Sequence, residues 1–154
     1  TDGALFQSLM GRFSSNLEKN CENSQLQAAY QQWEKQCETV YEIAMASKEV
    51  VEDRRIEGVA LYATPFLKFL ATVAAAGFLL EQAVIALSKL EQLIAEKAAK
   101  DSDLEVFLEN NTEARFLNNK RITAQNFVDT IVPEAEALLA GAKSGNYGAL
   151  DINF

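Results

Sequence analysis

The chain has 154 residues, 49% of them apolar, with only 7 Gly and 2 Pro and a formal net charge of −8. That length suits one domain, and the composition argues against a turn-rich sheet fold and against disorder. The acidic balance makes phosphate backbones and anionic membranes poor partners, and the absence of His removes the commonest general base and every Ser-His or Cys-His pair.

Cys21 and Cys37 are too few for a zinc site or a disulfide framework and sit at apolar helix positions, so reduced structural thiols are expected. No basic stretch followed by an apolar run and a small-residue cleavage site opens the chain, which points to the cytoplasm.

The first predicted helix covers Asp2 to about Cys21, with Asp2 as N-cap and Phe6, Leu9, Phe13 and Leu17 on one side. Ser24 and Gln27 have the spacing of a capping box, which predicts a second helix reaching about Asp53, with Leu26, Tyr30, Trp33, Cys37, Val40 and Ala44 repeating at helical spacing. The run Glu52 to Gly58 breaks the repeat and predicts a short reversal.

A third helix follows over Glu57–Lys97. Val59, Tyr62, Phe66, Phe69, Val73, Ala76, Leu80, Ala83, Leu87, Leu90 and Ile94 form one continuous apolar seam, and Leu61, Leu67, Leu70, Phe78 and Leu79 make its flanks apolar too. A helix so patterned is expected to be surrounded by others. Pro65 falls eight residues in, and because the repeat stays in phase beyond it, a kink is expected in preference to a new start at Thr64. The longest uncharged run, Phe69 to Leu80, is short of the roughly 20 residues a bilayer core demands, so a buried core helix is expected, without membrane contact.

Ser102 and Glu105 predict a short linking helix with Leu104, Phe107 and Leu108 as its apolar face. The last long helix is predicted from about Thr112 to Ala142, with a second interior proline at Pro133 and with Gly141 and Gly145 ending it. Leu150, Ile152 and Phe154 give the tail apolar residues that could dock. The fold expected is all-α, an up-and-down antiparallel four-helix bundle with one short extra helix, over residues 1–154 as a single helical domain.

A search for chemistry finds no catalytic constellation. The Glu-x-x-His pair of di-iron bundles is impossible without His. Glu81 is the most suspicious acid, following Phe78-Leu79-Leu80 on the apolar helix, where burial could make it a base; the preferred reading is a polar flank with Gln82, Ser88, Lys89 and Gln92. Glu49, Glu52, Asp53 and Glu57, mixed with Arg54 and Arg55, read as a solvated helix end. Trp33, Tyr62, Phe66, Phe69 and Phe78 could line a pocket for an acyl chain or flavin, but at this spacing core filling is the preferred reading. Gly141, Gly145 and Gly148 follow a helix and form no phosphate loop.

Three stretches resemble the C-terminal region of acyl-CoA dehydrogenases, in particular the 3-methylmercaptopropionyl-CoA dehydrogenase-like subset with an extra helical domain. Asp2-Gly3-Ala4-Leu5-Phe6-Gln7 looks like the segment after the Gly-Arg-Lys near the end of the catalytic core. Ala63-Thr64-Pro65-Phe66-Leu67-Lys68-Phe69-Leu70 is similar to an Ala-Thr-x-Tyr-Leu-x-Leu-Phe helix, departing at Pro65. Thr123-Ala124-Gln125-Asn126-Phe127 through Val132-Pro133-Glu134 resembles Thr-Ala-Arg-Phe-Phe…Leu-Leu-Pro-Glu, with Gln125 in place of Arg.

The resemblance implies a non-catalytic C-terminal fragment of a longer enzyme, packing on the catalytic core of the same polypeptide or supporting a homo-oligomer. It places the catalytic Glu and most flavin-contacting residues before Thr1. FAD is thus expected in the full-length protein, and no catalytic, cofactor-binding or metal residue is assigned here. The competing reading is an independent helical interaction or apolar-ligand-binding module.

Overall fold

The computed structural model describes residues 4–22, 24–52, 56–96 and 104–145, and among these every regular element is helical. In chain order they are α1 (Ala4–Cys21), α2 (Gln27–Glu52), α3 (Ile56–Glu96), α4 (Leu104–Asn110) and α5 (Thr112–Asn126). A π-helical turn (Phe127–Ile131), α6 (Val132–Ala137) and α7 (Ala140–Lys143) complete the described elements. The expected N-cap Asp2, the cap Ser102, the centre of the reversal at Asp53–Arg55 and the tail from 146 onward lie outside the described residues.

α3 is the axis: α1, α2, α5 and α6 all pack on it. Phe69, Val73, Ala76, Leu80 and Ala83 are buried along the predicted seam and join Phe13, Leu17, Trp33 and Val40 in the main core. A second, smaller cluster of Ala86, Leu90, Ala114 and Leu117 closes the other end, with Phe107 and Leu108 of α4 packed against it. The helix runs through Pro65 without ending, as the in-phase repeat requires.

The expectation that α3 is surrounded is corrected by its outer face. Leu67 and Phe78 are 61% and 46% exposed, and Ile85 is 57% exposed. These residues, spaced by 11 and 7, fall on one side of the helix, between the flank that meets α1 and the flank that meets α5. The helices that pack on α3 leave this side open among the described residues. The membrane test by uncharged run is also too narrow, since a lone Lys68 interrupts a much longer apolar stretch. By length and composition α3 is the one helix among the described residues that could cross a membrane, with a mean hydropathy of 1.9 over a window of which 33% is buried. A core helix of a soluble protein passes the same test.

Local chemistry sets the boundaries. The Ser24 hydroxyl donates to Cys21 O at 2.8 Å and accepts from Leu26 N at 3.1 Å, stitching the end of α1 to the start of α2. Asn111 is the N-cap of α5, its side chain accepting from Ala114 N at 3.1 Å. Gly145, at φ 63°, ends α7 in the left-handed conformation that glycine tolerates. Gly141 plays a different part from the one expected: it lies inside α7, where an added Cβ would stand 2.8 Å from the Tyr62 hydroxyl. It is a packing glycine that lets α7 approach α3.

Pro133 has a visible backbone consequence. Val132 N–H donates to Phe127 O, five residues back, widening the turn into a π-helix just before the proline. Such a turn spares the proline ring a clash with the preceding carbonyls. The Val128 carbonyl then has no backbone donor, since the next residue in register is Pro133, and Gln32 Nε2 of α2 supplies one at 3.1 Å.

Candidate functional site

Glu81 does not flank the solvent-facing end of α3 with Lys89. It accepts from Arg12 Nη2 at 3.4 Å and Asn16 Nδ2 at 3.0 Å, both on α1, and its side chain is 19% exposed. The Arg12 guanidinium also lies 5.1 Å from the Phe13 ring centre and 5.8 Å from that of Phe78. A cation held over two aromatic faces and against a carboxylate is a clamp between helices. Glu81 is thus held to α1 by a cation and an amide donor. Gln82, its neighbour in sequence, turns the other way and accepts from Lys120 Nζ of α5 at 3.2 Å.

The aromatic residues divide into three groups. Trp33 and Phe69 are fully buried core residues, as expected from their spacing. Trp33 Nε1 donates to Val73 O at 2.9 Å, so the indole is satisfied inside the core. Phe13 stacks edge-on against Trp33, at 6.0 Å, and against Phe78, at 4.8 Å. Tyr62 and Phe66 instead line a cavity of about 530 Å³ with Ile43, Ser47, Val59 and Ala142. A second cavity of about 360 Å³ opens between the first turn of α1 and the second half of α2, bounded by Phe6, Val40, Tyr41, Ala44 and Met45.

The titratable groups complete the chemistry. Burial pushes the Cys21 thiol up to about 11 and, with Glu34 and Glu38 adding to it, the Cys37 thiol up to about 12. Both cysteines are free, and at neutral pH both are protonated and poor nucleophiles. The Tyr30 hydroxyl is raised by burial and by its 2.9 Å hydrogen bond to Glu34. Glu136 is lowered by its hydrogen bond from Lys143, against an opposing cost of burial, with the Gln36 amide also favouring the carboxylate. The described residues contain no group of three or more Cys, Asp or Glu placed to hold a metal ion.

These residues do not fit a flavin dinucleotide. The pyrophosphate needs converging backbone N–H groups or cations, whereas the larger cavity is lined by one cation, Lys143, which is committed to Glu136, and by the carboxylate of Glu42. Gln125, in place of the expected Arg, is uncharged and bridges the Arg121 guanidinium to a backbone carbonyl. It accepts from Arg121 Nη1 at 2.7 Å and donates to Gln25 O at 2.6 Å, tying α5 to the loop between α1 and α2.

The described residues form an all-helical unit with a polar clamp between α1 and α3, two free thiols and an exposed apolar face on α3. The family model for such a unit, described as acetyl-CoA dehydrogenase C-terminal like, matches residues 10–153. The chain belongs to this family of acyl-CoA dehydrogenase C-terminal domains. No curated protein and no solved structure matches it.

What sequence reasoning missed is the inter-helix chemistry. Nothing local to Glu81 signals Arg12 and Asn16, which are more than sixty residues away. The π-turn has its sequence signal in Pro133, whose missing N–H interrupts the helical ladder.

Proposed function

We propose that this chain is the non-catalytic C-terminal helical domain of a FAD-dependent acyl-CoA dehydrogenase of the 3-methylmercaptopropionyl-CoA dehydrogenase type. Residues 1–154 form one domain at the end of a longer cytoplasmic polypeptide that oxidises acyl-CoA thioesters at the α,β-bond. The domain packs on the catalytic core or supports assembly of a homo-oligomer, while FAD and the catalytic base belong to the core. We read its long helices as an up-and-down four-helix bundle. Met10 meeting Cys37, Trp33 meeting Val73 and Lys120 meeting Gln82 support that reading.

The observation that carries the proposal is the outer face of α3. Leu67, Phe78 and Ile85 leave apolar surface in water along a helix whose opposite face is core. Exposed apolar stripes of this kind mark protein interfaces. A membrane is the weaker candidate for the occupant, because the acidic chain repels anionic lipid.

Charge placed on the stripe tests the role. In the full-length enzyme Leu67→Arg with Ile85→Arg is expected to lower the melting temperature or change the oligomer size, while the rate of flavin reduction in the surviving enzyme stays within about twofold. Unchanged melting and assembly, measured by calorimetry and light scattering, would show that the stripe faces water in the whole protein.

The alternative, an apolar-ligand module, draws on the 530 Å³ cavity, which is within the usual size range of ligand sites. A saturable shift in Tyr62 fluorescence lifetime with a medium-chain fatty acid, abolished by Ala63→Phe, would favour it.

A further inference from the structure

α1 is shorter than the helices it lies on. Met10 meets Cys37 in α2, and Phe6 lies beside Val40 and Met45, so α1 and α2 run antiparallel. Trp33 meets Val73 while Ile43 and Ser47 share a cavity with Val59 and Phe66, so α2 and α3 do too. α1 is therefore parallel to α3, with Phe13 against Gly77. Counting back from these contacts, Ala4 stands level with Ile43 in α2 and Lys68 in α3. Beyond that level α2 continues to Glu52 and α3 reaches back to Ile56, which leaves roughly 14 Å and 18 Å of helix past the end of α1, at 1.5 Å per residue, that α1 does not cover among the described residues.

Both cavities lie at this ledge and share Ala44. Tyr41 and Met45, which line the smaller cavity, are exposed at 52% and 43%. The lining is mainly apolar, with Glu42, Ser47, Lys48 and Lys143 among its polar members. It also lies where any upstream chain must arrive, because residue 1 is separated from Ala4 by three residues, at most about 10 Å of chain.

We infer that the stretch of the same polypeptide immediately preceding residue 1 lies along this ledge, in line with α1, with apolar side chains in the two cavities, the smaller between α1 and α2 and the larger between α2, α3 and α7. This rests on the reading above that the domain is preceded by more polypeptide. It adds which surface receives that polypeptide and from which direction. Where helical, about 9–12 residues cover the ledge. The connection to the core is then part of the bundle, and core and domain move together instead of swinging on a linker.

The test uses the full-length protein with a benzophenone amino acid replacing Met45 in one variant and Ala63, across the ledge, in another. After irradiation, peptide mapping is expected to find the adducts of both variants on the same segment, within about 20 residues upstream of residue 1. Their yield should be independent of protein concentration. A covalent dimer, an adduct on residues 146–154, or a probe that reacts only with solvent in both variants would overturn the inference. Failure of the parent reading shows separately, in the reading frame itself: an upstream sequence that is no acyl-CoA dehydrogenase core would sink that reading even if it crosslinked to the ledge.

Discussion

Gln32 closes a gap that Pro133 opens. The Gln32 amide donates to the Val128 carbonyl at 3.1 Å, an acceptor that the π-turn and the proline together leave without a backbone donor. An unmet carbonyl in a partly buried seam costs on the order of 1–3 kcal/mol. Gln32→Leu is therefore expected to destabilise the protein by about that much. In a Pro133→Ala background, where residue 133 regains an N–H, the same change should cost less than half as much. Chemical denaturation of the four proteins gives the coupling; equal costs in both backgrounds would mean that Gln32 does not serve the proline's gap.

Gly77 fixes how closely α1 approaches α3. A Cβ at this position would sit 2.9 Å from Cδ2 of Phe13, whose ring is fully buried and held edge-on between Trp33 and Phe78. Gly77→Ala gains about 1 kcal/mol of helix propensity and loses about 1–3 kcal/mol to overpacking. The net expectation is a lower melting temperature, partly recovered by Phe13→Leu in the same chain. A Gly77→Ala protein that melts higher than the parent would show that the ring can move.

Glu136 makes stability depend on pH in one direction. Its folded pKa is lowered from 4.5, chiefly by the Lys143 hydrogen bond. The stabilisation is therefore fully present above the ordinary carboxylate pKa and is lost as pH falls through the depressed folded value. Melting curves of the parent and Glu136→Gln should differ at neutral pH and converge in acid below 4.5. The difference is small, because the pair is partly exposed and screened by solvent. A gap that widened on acidification would contradict the assignment.

Glu81 should behave as a clamp. Glu81→Gln keeps an acceptor for Asn16 but gives up the charge opposite Arg12. In the full-length enzyme it is expected to cost less than about 1 kcal/mol, as partly exposed ion pairs do, and to leave the pH dependence of kcat/KM unchanged. A lost or displaced limb in that profile would place Glu81 in the chemistry.

How much of this was legible beforehand follows from range. Helices α1 to α5 and the passage of α3 through Pro65 were visible because periodicity is local, as with Phe69 to Ala83. The exposure of Leu67, Phe78 and Ile85 was not, since an apolar residue looks alike in sequence whether another helix covers it or not. Gly141 looked like a helix end because glycine serves both termination and close approach, and only the position of Tyr62 separates the two. The role of Glu81 depended on Arg12 and Asn16, a relation between helices that no spacing rule reads.

The central claim is that the domain stabilises or assembles an enzyme whose chemistry lies elsewhere. Removing residues 24–154 from the full-length protein and following flavin reduction by an acyl-CoA thioester in a single turnover, beside mass and melting temperature, tests it most directly. The account predicts a protein that retains flavin and reduces it at a rate within roughly tenfold of the parent, about 1.4 kcal/mol in the barrier, while melting lower or changing its oligomer size. A truncated enzyme of unchanged stability and assembly that binds flavin but no longer reduces it would contradict the account.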